Sequence, residues 1–391
     1  MGSQVTGRRS RRNDLRPVTC DLVVLLLGCM AVTAASPALS QAFQSVRQSF
    51  HVEVLFPPEM VRLADATRLV YELHLTNFAR MPLAPRRLLI LEAESGEVIH
   101  ELDATSLAAA LAPLGGLPQG QDHRMVAPGM RAVVYLSIPI SEAPRRLRHR
   151  IHFDVVGEGN VETAIVDGGE TQVSARVAPR LGPPLRGGPW VAVYDPQLER
   201  GHRRVLYAVD GRARIPGRFA IDWMRPGGTG SAGDGRGADV LAVADAIVAG
   251  TRDDVPEADS AGRAGPMALG DATGNYIALD LGGGVYAFYE HLRPGILVRR
   301  GDRVRRGQVI GALGSTGQAT QPHLHFHVSD ALSPLGAEGL PFTIENIEVL
   351  GAYASLEAFS RGEKWSDHPA ERTAALDAFF PSPNLVVEFR P

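Results

Sequence analysis

From His323 to His327 the chain reads HLHFH, with imidazole alternating strictly with Leu324 and Phe326. On an extended strand successive side chains point to opposite faces. His323, His325 and His327 therefore share one face, while Leu324 and Phe326 enter a core on the other. Three adjacent imidazoles on one pleat cost packing and solvation unless they bind something. Neutral imidazole is the commonest protein ligand for a transition metal, and zinc is the usual occupant of a His-plus-carboxylate site. The run follows a Gly-rich turn, Gly314 to Gly317, so the expectation is a strand that presents metal-binding chemistry at the end of a turn.

The rest of the chain supports a β-rich fold. Its 391 residues are 45% hydrophobic, ample for two cores at ~100–200 residues per domain. The net charge of −3 supplies no overall field for nucleic acid. Glycine (42) and proline (28) are abundant, aromatics are few and apolar runs are short, which points to strands and turns and an all-β class.

Residues 1–42 read as an export signal: Arg8, Arg9, Arg11, Arg12 and Arg16, then the apolar run from Leu22 to Ala35, then small residues up to Ala42. The apolar run is short for a membrane span, so the mature chain is expected to be exported with no stable span. Leu26-Leu27-Gly28-Cys29 loosely resembles a lipoprotein box, which makes an anchor at Cys29 the lesser expectation. Both cysteines, Cys20 and Cys29, lie in this segment, so removing it leaves no disulfide.

Residues 50–178 alternate with period two. Leu69, Tyr71, Leu73 and Leu75 face one way, and Val70, Glu72, His74 and Thr76 the other. Val134, Leu136, Ile138 and Ile140 repeat the pattern, and Leu147, Ile151, Phe153 and Val155 alternate with Arg146, Arg148 and Arg150. An antiparallel, immunoglobulin-like β-sandwich is expected, with a short helix near Thr105–Leu111. His149 and His152 fall on opposite faces of one strand and read as structural. Residues 179–189, PRLGPPLRGGP, read as a linker. A second domain spans 190–350, and 351–391 form a C-terminal extension with a short helix near Ser355–Arg361 and a last strand, Asn384–Phe389. Within the second domain, Val240–Val248 reads as a strand pair turning near Asp245, and Asn275–Leu281 with Val285–His291 as a hairpin across three glycines. Ile296–Arg299 and Val304–Ile310 read as another short pair. Thr229–Gly237 and Asp253–Gly270 lack a pattern and read as groove-lining loops.

A catalytic zinc needs three protein ligands and one open position. His325 supplies one, and His323 can sit beside the metal without binding it. Earlier candidates are His202, Asp210 and Asp222. Asp222 alternates with Phe219 and Ile221 on a strand, whereas Asp210 precedes Gly211 and fits a turn, which favours His202 and Asp222. His291, at the end of a hairpin strand, is the natural fifth member.

The second domain resembles the lysostaphin/LytM-type zinc endopeptidases of bacterial cell walls. The resemblance rests on GNYIALDLGGGVYAFYEHL, with its Tyr-x-His-Leu end, and on VRRGDRVRRGQVIGALGSTGQATQPHLHFHV. It implies a LytM-like antiparallel β fold, His325 as zinc ligand, and His291 and His323 as unligated catalytic histidines. It also implies a substrate: the peptide cross-links or stems of peptidoglycan. One departure stands out. The family joins its first two ligands as His-x-x-x-Asp, but here Arg218 precedes Asp222 by four residues and the nearest earlier histidine is His202. Some relatives keep the fold, lose ligands, and bind the wall or activate another hydrolase. A His202 that points away from Asp222 would favour that inactive reading.

Overall fold

Leu69, Tyr71, Leu73 and Leu75 lie on the strand Thr67–Asn77, and all four are buried in one core. The computed structural model describes residues 49–115, 122–157, 160–199, 201–227, 234–257, 267–367 and 377–390. The expected signal segment 1–42, with Cys20 and Cys29, falls outside these residues, as do 229–233 and 258–266 of the two patternless loops.

Thr67–Asn77 pairs with Phe50–Glu53, Glu59–Arg62 and Arg131–Pro139, and Leu111–Pro113 completes that five-stranded sheet. A second sheet runs in the order Val98–Leu102, Leu83–Glu92, Arg146–Val156, Val161–Gln172. Every pairing in the two is antiparallel. Leu73 and Val134 of one sheet and Leu88, Ile151 and Phe153 of the other meet in a shared core, so this half is an antiparallel β-sandwich. The expected helix is Ala104–Ala110. It starts where Asp103 accepts the Ser106 N–H, satisfying one of the donors a first helical turn leaves free. Arg146 and Arg150 pair with Glu170 and Asp167 at 2.7 Å in solvent-exposed positions, contacts worth at most ~1 kcal/mol each.

The opposite face of Thr67–Asn77 is not solvated. Val70 joins the core of the second half, and Glu72 and His74 are buried beside it. That second core surrounds Trp190, Trp223, Tyr289, Phe326 and Phe342. Its sheet has eleven strands among the described residues. The middle of the sheet runs Ala246–Arg252, Asn275–Gly282, Val285–Leu292, Leu324–Ser329, Ile221–Met224, Gly187–Val193, Leu385–Phe389 and Ile347–Ala352. The glycine hairpin forms as expected, with Gly282, Gly283 and Gly284 all at positive φ. The fold is all-β, and among the described residues no helix is long and apolar enough to cross a membrane.

Two local expectations change. Asp239–Leu241 and Ala246–Arg252 do not pair with each other. The first pairs with Val309–Ala312 and the second with Asn275–Gly282, and in the bend between them Val243 N–H donates to Tyr289 Oη. Ile296–Arg299 forms no strand; only Leu297 N–H reaches Ile310 O. Residues 179–189 are strapped into the fold. Arg180–Leu181 pairs with Thr343–Glu345, Leu185 is fully buried, and Gly187 opens a central strand. The C-terminal segment likewise supplies Leu385–Phe389 to the middle of the large sheet, between Gly187–Val193 and Ile347–Ala352.

His149 is structural, as its position suggests: its ring bonds to Tyr71 Oη at 2.8 Å and to Gly169 O at 3.0 Å. Burial pushes the pKa of His149 down to about 4, and burial likewise holds His74 at about 4 against the pull of Glu72. An unfolded histidine titrates near 6.5, so below that pH the unfolded chain takes up protons that the fold refuses. Stability is therefore fully present above pH 6.5 and falls as the pH drops toward 4, by up to about 3 kcal/mol per histidine. Denaturant unfolding at pH 7 and pH 4.5 should show this loss, and His149→Gln should make it shallower. An equally steep loss in that variant would exclude His149 as a source.

Candidate metal centre

Backbone pairing builds the site. Ile221–Met224 and Leu324–Ser329 are adjacent antiparallel strands whose register sets Asp222 directly opposite His325, with Ile221 opposite Phe326 and Trp223 opposite Leu324. The apolar partners go into the core, and the carboxylate and imidazole go to the other face. His325 Nδ1 lies 2.8 Å from Asp222 Oδ1. His202 comes from a different kind of element, the 3-10 turn His202–Arg204, and its Nε2 lies 3.2 Å from Asp222 Oδ2. The three side chains offer ligand atoms that all lie within 4.8 Å of one another.

Two more imidazoles flank this group. His291, next to last in Val285–Leu292, sits at φ 63°, and its ring centroid is 4.6 Å from that of His323 and 6.0 Å from that of His325. His291 Nδ1 donates to Thr316 O at 2.8 Å, and His323 Nδ1 donates to Gln321 O at 2.8 Å. A carbonyl can only accept, so each bond fixes the proton on Nδ1 and leaves Nε2 as the free atom. His323 Nε2 stands 3.5 Å from Asp222 Oδ1.

Charge organises around Asp222. Burial would raise its pKa, but His202 and His323 beside it hold the carboxyl well below the usual range. Burial opposes the charged form of His202, and Asp222 more than offsets that, so its pKa rises. Burial lowers His325, with Asp222 pulling the other way. His291 falls well below the ordinary value through burial and through the neighbouring His323 and His325, so its ring is neutral at pH 7.

The remaining candidates separate cleanly. Asp210 sits at φ 50° in the turn between Tyr207–Val209 and Arg212–Arg214, away from the group. His327 shares the His325 face but is buried against Phe288, stacked at 5.0 Å and 8°. Its Nδ1 is 3.6 Å from Glu290 Oε1, and among the described residues neither of its ring nitrogens has a hydrogen-bond partner. Glu290, His325 and His327 thus form a second set of possible ligands. That set is closed, with Glu290 and His327 buried, whereas His202, Asp222 and His325 are each partly open. A catalytic metal keeps a position for solvent, so the open set is the one suited to chemistry.

Sequence reasoning missed Thr316. The hydroxyl accepts from Asn275 N–H at 2.9 Å and donates to Leu292 O at 2.8 Å, while the backbone carbonyl holds His291. Gly274 and Gly317 allow this approach, since a Cβ on Gly274 would stand 2.4 Å from Thr316 Oγ1. The Gly-x-Thr-Gly signal was visible in the sequence, but its role as a rivet needed the fold.

Residues 231–336 match the sequence profile of peptidase family M23. That stretch carries the M23 sequence pattern. The matched residues include His291, His323 and His325 but begin after His202 and Asp222, so those two rest on geometry. The chain is similar to the peptidoglycan DD-endopeptidase ShyA of Vibrio cholerae, 42% identical over 64 residues, 16% of this chain and 15% of that protein. It is also similar to the glycyl-glycine endopeptidase ALE-1 of Staphylococcus capitis, 52% identical over 54 residues, 14% of this chain and 15% of that protein. The similarity thus spans about 15% of the length of these relatives. Among solved structures, a zinc-containing peptidase from Vibrio cholerae aligns with 75% of this chain and 86% of its own, at 17% identity and a TM-score of 0.25.

Thr316→Val removes the rivet while keeping the shape, leaving Asn275 N–H and Leu292 O without their hydroxyl partner. The expected cost is about 1–3 kcal/mol of unfolding free energy, measured by denaturant titration. A variant as stable as the parent would show that the hydroxyl is dispensable.

Proposed function

We propose that this chain is a zinc-dependent endopeptidase that hydrolyses peptide bonds in the cross-links or stems of peptidoglycan. The observation that carries this reading is the approach of His202 to Asp222, at 3.2 Å, opposite His325 at 2.8 Å from the same carboxylate. The inactive alternative turned on His202 pointing elsewhere, and this distance speaks against it. Two imidazoles and a carboxylate are a zinc donor set, and their partly open position suits a catalytic ion. In this reading zinc, when bound by His202, Asp222 and His325, supplies Lewis acidity at the scissile carbonyl and acidifies a water.

The protein's own groups supply the rest. His291 is neutral and its Nε2 lone pair is free, which suits it to take the proton from the attacking water. His323 Nε2, when protonated, can donate to the carbonyl oxygen as charge develops there. Thr316 and Gln321 keep both rings turned the right way through their carbonyls. The expected export signal fits a substrate outside the cytoplasm. The names of the relatives, which include peptidoglycan and glycyl-glycine endopeptidases, support the substrate class without choosing the bond.

Two variants separate the roles. His325→Ala should drop bound zinc from about one per chain to a small fraction and abolish hydrolysis of purified peptidoglycan. His291→Ala should keep the zinc and lower kcat by roughly 10²–10⁴. Wild-type hydrolysis by the His325 variant would end this assignment.

A further inference from the structure

His202 belongs to no strand. Its 3-10 turn lacks a side-chain cap, and about twenty residues separate it from Asp222. Its ring position therefore has to be set by contacts outside its own element. The next residue makes them. Arg203 runs into the sandwich, where Nε donates to Glu72 Oε1 at 2.8 Å and Nη2 donates to Tyr71 O at 2.9 Å and Leu136 O at 2.7 Å. The second Glu72 oxygen holds Arg218, whose Nε donates to Oε2 at 2.9 Å. Arg218 stands four residues before Asp222 and also pairs with Glu338. All four charged groups are buried, and two arginines balance two glutamates. On the other side, a Cβ on Gly217 would stand 3.0 Å from His202 Cβ and from its carbonyl oxygen, so the turn is backed closely by the segment that leads to Asp222.

One carboxylate of the sandwich thus yokes the segment carrying His202 to the segment carrying Asp222. We propose that Glu72 is a positioning residue of the metal centre, acting through Arg203 and Arg218, and that the N-terminal sandwich completes the zinc site. This rests on His202 being a ligand. The alternative is that Glu72 only joins the two halves of the fold. Positioning and joining differ in what they do to the metal: a joint can weaken without altering coordination, whereas a displaced ligand changes affinity and geometry. Residues that orient metal ligands cost 10–100-fold in metal affinity when changed.

The test uses the full chain, with zinc affinity measured by chelator competition and with the absorption spectrum of cobalt(II) loaded in place of zinc. Glu72→Gln should fold, as judged by circular dichroism, bind zinc 10–100-fold more weakly, and weaken the cobalt visible bands as His202→Ala does. The double variant should lose little beyond His202→Ala alone, because both changes remove the same ligand. Arg203→Lys keeps the charge but cannot reach Glu72 and both carbonyls at once. It should show the same losses, and it decides the matter if Glu72→Gln does not fold. Parental zinc affinity and cobalt spectrum in the Glu72 variant, or losses that simply add to those of His202→Ala, would overturn the proposal. Unchanged zinc affinity in His202→Ala would instead remove the ligand assignment on which it rests.

Discussion

The structure depends on the register between Ile221–Met224 and Leu324–Ser329. Four-residue and six-residue strands pair so that Asp222 and His325 face each other while Ile221, Trp223, Leu324 and Phe326 fill the core behind them. A slip of one residue would send the carboxylate and imidazole into that core and the aromatics out of it. Burial of Trp223 and Phe326 therefore holds the two polar groups together. The apolar face enforces the polar one, and the cost of desolvating Asp222 is met by the imidazoles around it.

A second layer of buried charge lies where the two halves meet. Glu72, Arg203, Arg218 and Glu338 are nearly inaccessible, yet each has an opposite charge in contact. Such a group is weak evidence for net stability, since well-packed apolar side chains can often replace it. Its directionality is another matter. Arg203 makes three separate bonds to the sandwich, and a planar guanidinium satisfied on several edges has little freedom to tilt. Arg218 takes the place, four residues ahead of Asp222, where the family resemblance implies a histidine. The side chain at that spacing faces away from Asp222 and pairs with Glu72, and His202 stands beside Asp222 in its stead.

Below His325 the pairing of Glu290 with His327 has the opposite character. Burial pushes the Glu290 carboxyl well up and the His327 ring well down, which favours two neutral groups rather than an ion pair. Phe288 stacks on one face of the His327 ring, so this imidazole of the HLHFH run packs while its two companions face the working group. Identical spacing on one pleat thus yields different roles, because the neighbouring strand presents a carboxylate at one position and an aromatic ring at another.

The sequence by itself determined the all-β class, the glycine hairpin and the short helix near Thr105–Leu111. It also determined that His323 and His325 share a face opposite Leu324 and Phe326. These follow from local periodicity and turn chemistry, which need only neighbouring residues. That Asp222 lies on a strand and Asp210 in a turn was legible for the same reason, since one alternates with apolar residues and the other precedes a glycine. Tertiary structure alone decided which strands pair, as residues 239–252 show by splitting between two sheets, and that segments read as a linker and an extension belong to the fold. It also decided that a histidine twenty residues upstream reaches Asp222, and that Glu72, more than a hundred residues away, holds its neighbour. Such contacts join residues with no shared period or motif. They exist only once burial has brought their strands together, and no local pattern encodes that partner choice.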